Sequence, residues 1–164
     1  MTTTALTDAE RIEMQKSIVA EHCRAENEKD WPAVHATFAQ DGSASWDCVP
    51  LSVTAQGVDG VRDLYAGFDA AMPDFSITIF REYHMAGTSI IEVTIDATHQ
   101  GEFMGVPASG RKVRWELVAV FEFGAGENAG KILCERAYWD NETLLRQMRG
   151  EADAPTGVGL ASRT

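Results

Sequence analysis

The sequence predicts an α+β fold, a curved antiparallel sheet packed against N-terminal helices and enclosing an apolar pocket. Three observations predict it. Helical periodicities occupy the first half, around one short alternating segment near residue 46. Four alternating segments then follow between residues 75 and 140 with short links, which forces antiparallel neighbours. One last helical stripe closes the pattern. Helices that share one sheet face must bury their apolar stripes on it, and a strongly twisted sheet closed in this way forms a cone.

The elements follow in order. Thr7-Asp-Ala-Glu10 is a capping box, in which a hydroxyl and a carboxylate satisfy free amides at a helix start. Ile18, Val19, His22 and Cys23 recur at helical spacing to about residue 28. Asp30 and Pro32 open a second helix whose stripe, Trp31, Val34 and Phe38, runs out at Asp41-Gly42. Residues 43–50 alternate about Ala44, Trp46 and Cys48 and are halted by Pro50. Asp59 is expected to cap a third helix bearing Val61, Leu64, Tyr65, Phe68 and Met72, ended by Pro73. Strands are expected near 75–85, 89–101, 113–123 and 131–140. Asp140-Asn141 caps the last helix, with Leu144, Leu145 and Met148. One domain spans 1–150, and 151–164, rich in Pro, Gly and Ser, reads as a disordered tail.

Composition narrows the function. Twenty-five acidic residues against 14 basic give a net charge of −11 with no basic cluster, which disfavours nucleic acid. No apolar run approaches the roughly 18–20 residues of a membrane span. Three distant cysteines, Cys23, Cys48 and Cys134, read as reduced thiols and point to the cytoplasm. No motif spacing suggests a metal, and Gly124–Gly130 joins two strands rather than opening a helix, so it reads as a hairpin and not a nucleotide loop. Neither metal nor cofactor is expected.

The chain resembles the SnoaL-like polyketide cyclases of the nuclear-transport-factor-like cone superfamily. The carrying residues are Trp31, Phe38, Gly60-Val-Arg62, Met72-Pro-Asp-Phe75, His99-Gln-Gly-Glu-Phe-Met-Gly-Val-Pro-Ala-Ser-Gly-Arg111, Gly130-Lys-Ile132, Asp140 and Gln147. The resemblance spans about residues 10–150. It implies the cone fold, while the superfamily hosts cyclases, isomerases, dehydratases, lyases and binders alike. The family's catalytic Asp falls at Ala137 and its assisting His at Ala119, so ring closure by the usual groups is not expected.

Strand parity, in the register the resemblance implies, turns Trp115, Leu117, Ala119 and Phe121 inward, with Leu133, Glu135, Ala137 and Trp139 beside them. Trp46 and Tyr65 complete the expected substrate wall, where aromatic rings suit planar apolar ligands. Glu135 is a carboxylate among apolar neighbours, where desolvation favours acid–base duty. His99, in step with Val93, Ile95 and Ala97, is its expected proton partner. These residues point to cofactor-free proton transfer, of lyase, dehydratase or isomerase type, on a small hydrophobic, aromatic or polycyclic molecule. The alternatives are a cyclase with displaced catalytic groups and a non-catalytic binding or assembly domain. The mixed outer face of the sheet, Glu116, Val118, Val120 and Glu122, suggests a homodimer or higher oligomer.

Overall fold

A computed structural model describes residues 6–156. Helix α1 (Asp8–Glu28) starts at the expected capping box: the Thr7 amide donates to Glu10 and the Glu10 amide to the Thr7 hydroxyl, at 2.8 and 3.3 Å. Helix α2 (Trp31–Ala36) is capped by Asp30. It stops before Phe38, which leaves the helix to bridge Ile132. Strands β1 (Ser45–Cys48) and β2 (Val53–Gln56) form a hairpin around a single 3₁₀ turn at Val49–Leu51. Helix α3 (Gly57–Ala71) follows. It starts three residues earlier than expected, so Asp59 lies in its first turn and Gln56 occupies the cap position.

Strands β3 (Ser76–Met85), β4 (Thr88–Thr98), β5 (Lys112–Phe123) and β6 (Ile132–Trp139) form an antiparallel meander. The six-stranded curved, unclosed sheet has the order β2-β1-β6-β5-β4-β3. Its one parallel pairing, β1 beside β6, sets Trp46 next to Glu135 and Cys48 next to Ala137. Helix α4 (Asn141–Arg149) carries the expected Asp140 cap, whose carboxylate accepts from the Thr143 amide at 3.0 Å. The helix is tied to β5 by Gln147, whose amide donates to the Arg114 carbonyl and accepts from the Arg114 amide, both at 2.8 Å.

Residues 151–156 form no helix or strand, yet the Pro155 carbonyl accepts from Arg114 at 3.3 Å. The rest of the expected tail, 157–164, lies outside the described residues. No helix among the described residues is long and apolar enough to cross a membrane.

Candidate functional site

The concave face of the sheet and the helices over it enclose an apolar cavity of about 60 Å³. Trp115, Leu117, Ala119 and Phe121 of β5, Glu135 and Trp139 of β6, and Trp46 of β1 line it, as does Tyr65 of α3. Helix α1 adds Cys23 and Glu26, and Phe68, Met72 and Phe75 complete the helical side. Ala137 and Leu133 are the exceptions among the residues expected to face inward. Ala137 is fully buried and pairs with Ala119 across the β5–β6 ladder, but it does not line the cavity. On the helical side, the Phe68 ring meets Trp46 and Trp139 at 5.5 and 6.0 Å between centroids.

The cavity is polar at one place. Glu135 stands there with His22, Glu26 and Tyr65, all at most 7% exposed. The Tyr65 hydroxyl donates to Glu135 at 3.0 Å, and His22 Nε2 lies 3.1 Å from that hydroxyl. The same nitrogen is 3.4 Å from a Glu135 oxygen and 3.7 Å from a Glu26 oxygen. On the other side of the ring, His22 Nδ1 meets Thr37 Oγ1 at 2.9 Å. The Thr37 hydroxyl spends its proton on the Val34 carbonyl, at 2.6 Å, so Nδ1 must be the donor to it. The Tyr65 proton is spent on Glu135, so Nε2 satisfies the chain only as a second N–H. An imidazolium at His22 satisfies both of these contacts.

Electrostatics agrees. Burial opposes the His22 charge, but Glu26 and Glu135 together outweigh it and raise its pKa. Glu26 is pushed up to about 7 by burial and by Glu135, against the opposing pull of His22, Tyr65 and Lys29. Burial also lifts Tyr65 well above an ordinary phenol. The site therefore holds two cavity-lining carboxylates, Glu26 with its pKa raised to about 7, backed by a phenol and an imidazole whose pKa is raised.

His99 lies elsewhere. It is fully buried one residue beyond β4, does not line the cavity, and has Ser109 Oγ at 3.0 Å from Nδ1. Burial lowers its pKa. Its backbone joins Arg111 and Gly110 at 2.9 and 2.8 Å, pinning the loop before β5. The next residues, Gln100 and Gly101, both donate to the Ala71 carbonyl at the end of α3. His99 is thus part of the clasp between loop and helix, and the histidine beside Glu135 is His22. A signal for His22 was present: it sits four residues before Glu26, so two ionisable groups share the stripe of α1 that holds Val19 and Cys23.

His22, Glu26 and Glu135 also bring three potential ligand atoms within 4.8 Å of one another, a grouping no sequence spacing announced. The Tyr65 hydroxyl already occupies the hydrogen-bonding reach of both His22 and Glu135.

Two further groups in the wall are unsatisfied. The indole N–H groups of Trp46 and Trp115 are buried without a partner, whereas Trp139 donates to Asn141 at 3.1 Å. A buried donor left unpaired costs about 1–3 kcal/mol.

Comparison with solved structures assigns the class first: the architecture is the nuclear-transport-factor-like cone. AclR from Streptomyces galilaeus, described provisionally as a hydroxylase, superposes with a TM-score of 0.71 at 25% identity, covering 88% of this chain and 87% of that one. IdmH from Streptomyces antibioticus, provisionally a polyketide cyclase, gives 0.68 at 20% identity, over 82% and 98%. A provisional SnoaL-like polyketide cyclase from Jannaschia Sp. CCS1 gives 0.71 at 13% identity, over 90% and 97%. Residues 17–148 match the SnoaL-like polyketide cyclase family, and the chain belongs to it. No curated protein matches the sequence.

Proposed function

We propose that this chain is a cofactor-independent acid–base enzyme for a small hydrophobic molecule whose own carbonyl, phenol or conjugation stabilises the charge. The observation that carries this reading is the buried set of His22, Glu26, Tyr65 and Glu135 in an otherwise apolar wall. Such a pair of carboxylates, held in different environments, divides the roles of acid and base. Glu135 takes a proton from carbon. Glu26, protonated up to about pH 7, returns one to a neighbouring atom. Tyr65 and the His22 cation orient Glu135 and offset the charge. The net reaction is an isomerisation, or an elimination where a leaving group stands beside the carbanion. The provisional cyclase and hydroxylase descriptions of related structures support a small-molecule enzyme. Ring closure by groups at positions 119 and 137 is not part of the reading, since both are alanine.

The test is isotope uptake. A panel of small aromatic ketones, phenols and conjugated acids is incubated with the protein in D₂O and followed by proton NMR. Labelling at carbon is expected with at least one class. Glu135→Gln should slow it by about 10²-fold or more, since one positioned acid or base contributes about 10²–10⁴. The rate should fall above pH ~7, where Glu26 loses the proton it donates. A chelator should change nothing, whereas its abolishing the rate would assign the three ligand atoms to a metal ion.

A second reading, a non-catalytic binding domain, is favoured by the cavity itself. About 60 Å³ is far below the roughly 300–1,000 Å³ of drug-sized sites, so a polycyclic ligand needs wall side chains to move. Binding of panel members without any labelling would select it.

A further inference from the structure

Of the five buried side-chain polar atoms without a partner among the described residues, two belong to cavity-lining residues, the indole nitrogens of Trp46 and Trp115. Native structures seldom leave such donors unpaired, and each one calls for a water, an ion, a ligand or a catalytic role. The apolar wall offers none: apart from the carboxylates and the Tyr65 hydroxyl, its side chains are hydrocarbon, aromatic or sulfur.

The two indoles stand differently toward the acid–base groups. Trp46 is the neighbour of Glu135 across the β1–β6 pairing, and its ring stacks on Tyr65 at 4.4 Å and 18°. Tyr65 holds Glu135 by a hydrogen bond. The ring plane of Trp46 is therefore fixed by the same residue that fixes the base. Trp115 lies six residues along β5 from Phe121, the register partner of Glu135, or about 20 Å of strand. Only Trp46 belongs to the reacting end.

We propose that the indole N–H of Trp46 receives the carbonyl oxygen of the substrate and stabilises the enolate formed there, which makes the substrate an enolisable ketone or aldehyde. This inference rests on the acid–base reading above. In the step, Glu135 removes a proton from the carbon beside the carbonyl. The C–H electron pair becomes the new C=C bond, and the carbonyl π pair moves onto oxygen, which accepts the Trp46 hydrogen bond. Re-protonation of the enolate restores a neutral carbonyl compound, so no oxidant or reductant enters. A fixed donor at the point of developing charge gains strength as the oxygen turns anionic, and removal of one such donor typically slows a reaction by about 10²–10³-fold.

The experiment compares 1-indanone with indane, which share a shape and differ by one oxygen. The wild-type protein should bind the ketone at least tenfold more tightly by isothermal titration. Its Trp46 indole ¹⁵N–H resonance should shift downfield on ketone addition and stay in place with indane. In Trp46→Phe the preference should shrink to about twofold, and deuterium uptake at the carbon beside the carbonyl should slow by about 10²-fold. Replacing Trp46 with β-(3-benzothienyl)alanine, which keeps the fused ring and deletes the N–H, should reproduce both losses and covers the case in which the phenylalanine variant misfolds. Equal affinity for the two probes in the wild type, or a ketone preference that survives in the sulfur analogue, would overturn the donor role. Unchanged deuterium uptake in that analogue would overturn the enolate role alone. Loss of labelling in the wild type itself would remove the acid–base reading and the enolate role with it, while the binding comparison would still decide whether Trp46 holds a carbonyl.

Discussion

At the scale of single residues, the site turns on which histidine meets Glu135. Strand parity, in the register the family resemblance implies, placed Glu135 on the concave side, because alternation along β6 is a local property. The partner was not local: His22 precedes Glu135 by more than a hundred residues, and only the packing of α1 against the sheet joins them. His99 met the same parity rule and still missed the cavity, since β4 ends at Thr98 and the chain turns away. Two predictions separate these histidines. His99→Ala should lower the melting temperature by about 4–8 °C, the size of a roughly 2 kcal/mol loss, and leave the Glu26-dependent pH profile unchanged. Glu26 gives the second. Its folded pKa of about 7 exceeds the ordinary 4.5, so the folded state binds the proton more tightly than the unfolded one. That stability is fully present below pH ~4.5 and is lost as pH rises through 7, on the order of 3 kcal/mol. His22, also raised, adds a loss of the same sign above its ordinary 6.5. Melting temperature should therefore fall between pH 5 and 8, and Glu26→Gln should remove most of the fall below pH 7. A flat wild-type profile would contradict the raised pKa of the buried Glu26.

At the scale of elements, the capping residues, the helix stripes and the meander were legible because each is written in a few adjacent residues. Strand β2 was not. Of Val53-Thr-Ala-Gln56 only Ala55 is buried, so no alternation marks it, and it exists through its pairing with β1. The parallel β1–β6 contact escaped for the same reason, although it sets Trp46 against Glu135. The loop between β4 and β5 shows how a short motif can carry tertiary structure. A Cβ built on Gly101 would lie 2.3 Å from the Ala70 carbonyl oxygen, backbone that cannot move without unseating the end of α3. Gly101→Ala should cost about 1–3 kcal/mol, read as a lower midpoint in urea with an unchanged slope. Since Met72 and Phe75 of the cavity wall follow that helix end, ligand affinity should drop as well. Full stability in the variant would show that the clasp has slack.

At the scale of the whole molecule, the sheet has an outer face, and the register shows how its side chains are laid out. Arg81, Glu92, Val118 and Tyr138 form one row across β3 to β6, and Tyr83, Ile90, Val120 and Arg136 form the next. Val118, Tyr138 and Tyr83 are exposed, so an apolar band crosses the face. Its charged neighbours are already matched, Arg81 with Glu92 at 3.3 Å and Arg136 with Asp47 and Glu122 at 3.4 and 3.2 Å. A net charge of −11 opposes any self-association, but these pairs neutralise the band locally. We propose that two copies meet through this face as a symmetric homodimer, because a self-complementary apolar band is the surface an isologous contact requires. The two contributions respond oppositely to salt. Raising ionic strength from 0.05 to 1 M shortens the screening length to about 3 Å and removes the long-range repulsion, while apolar burial is retained. The dimer should therefore tighten with salt, and Val118→Arg should return the protein to a monomer at all concentrations of salt while leaving the cavity intact. Light scattering at micromolar concentration measures both. A wild-type monomer in 1 M salt would rule out the interface, and a dimer weakened by salt would mean that ion pairs, rather than the apolar band, hold it.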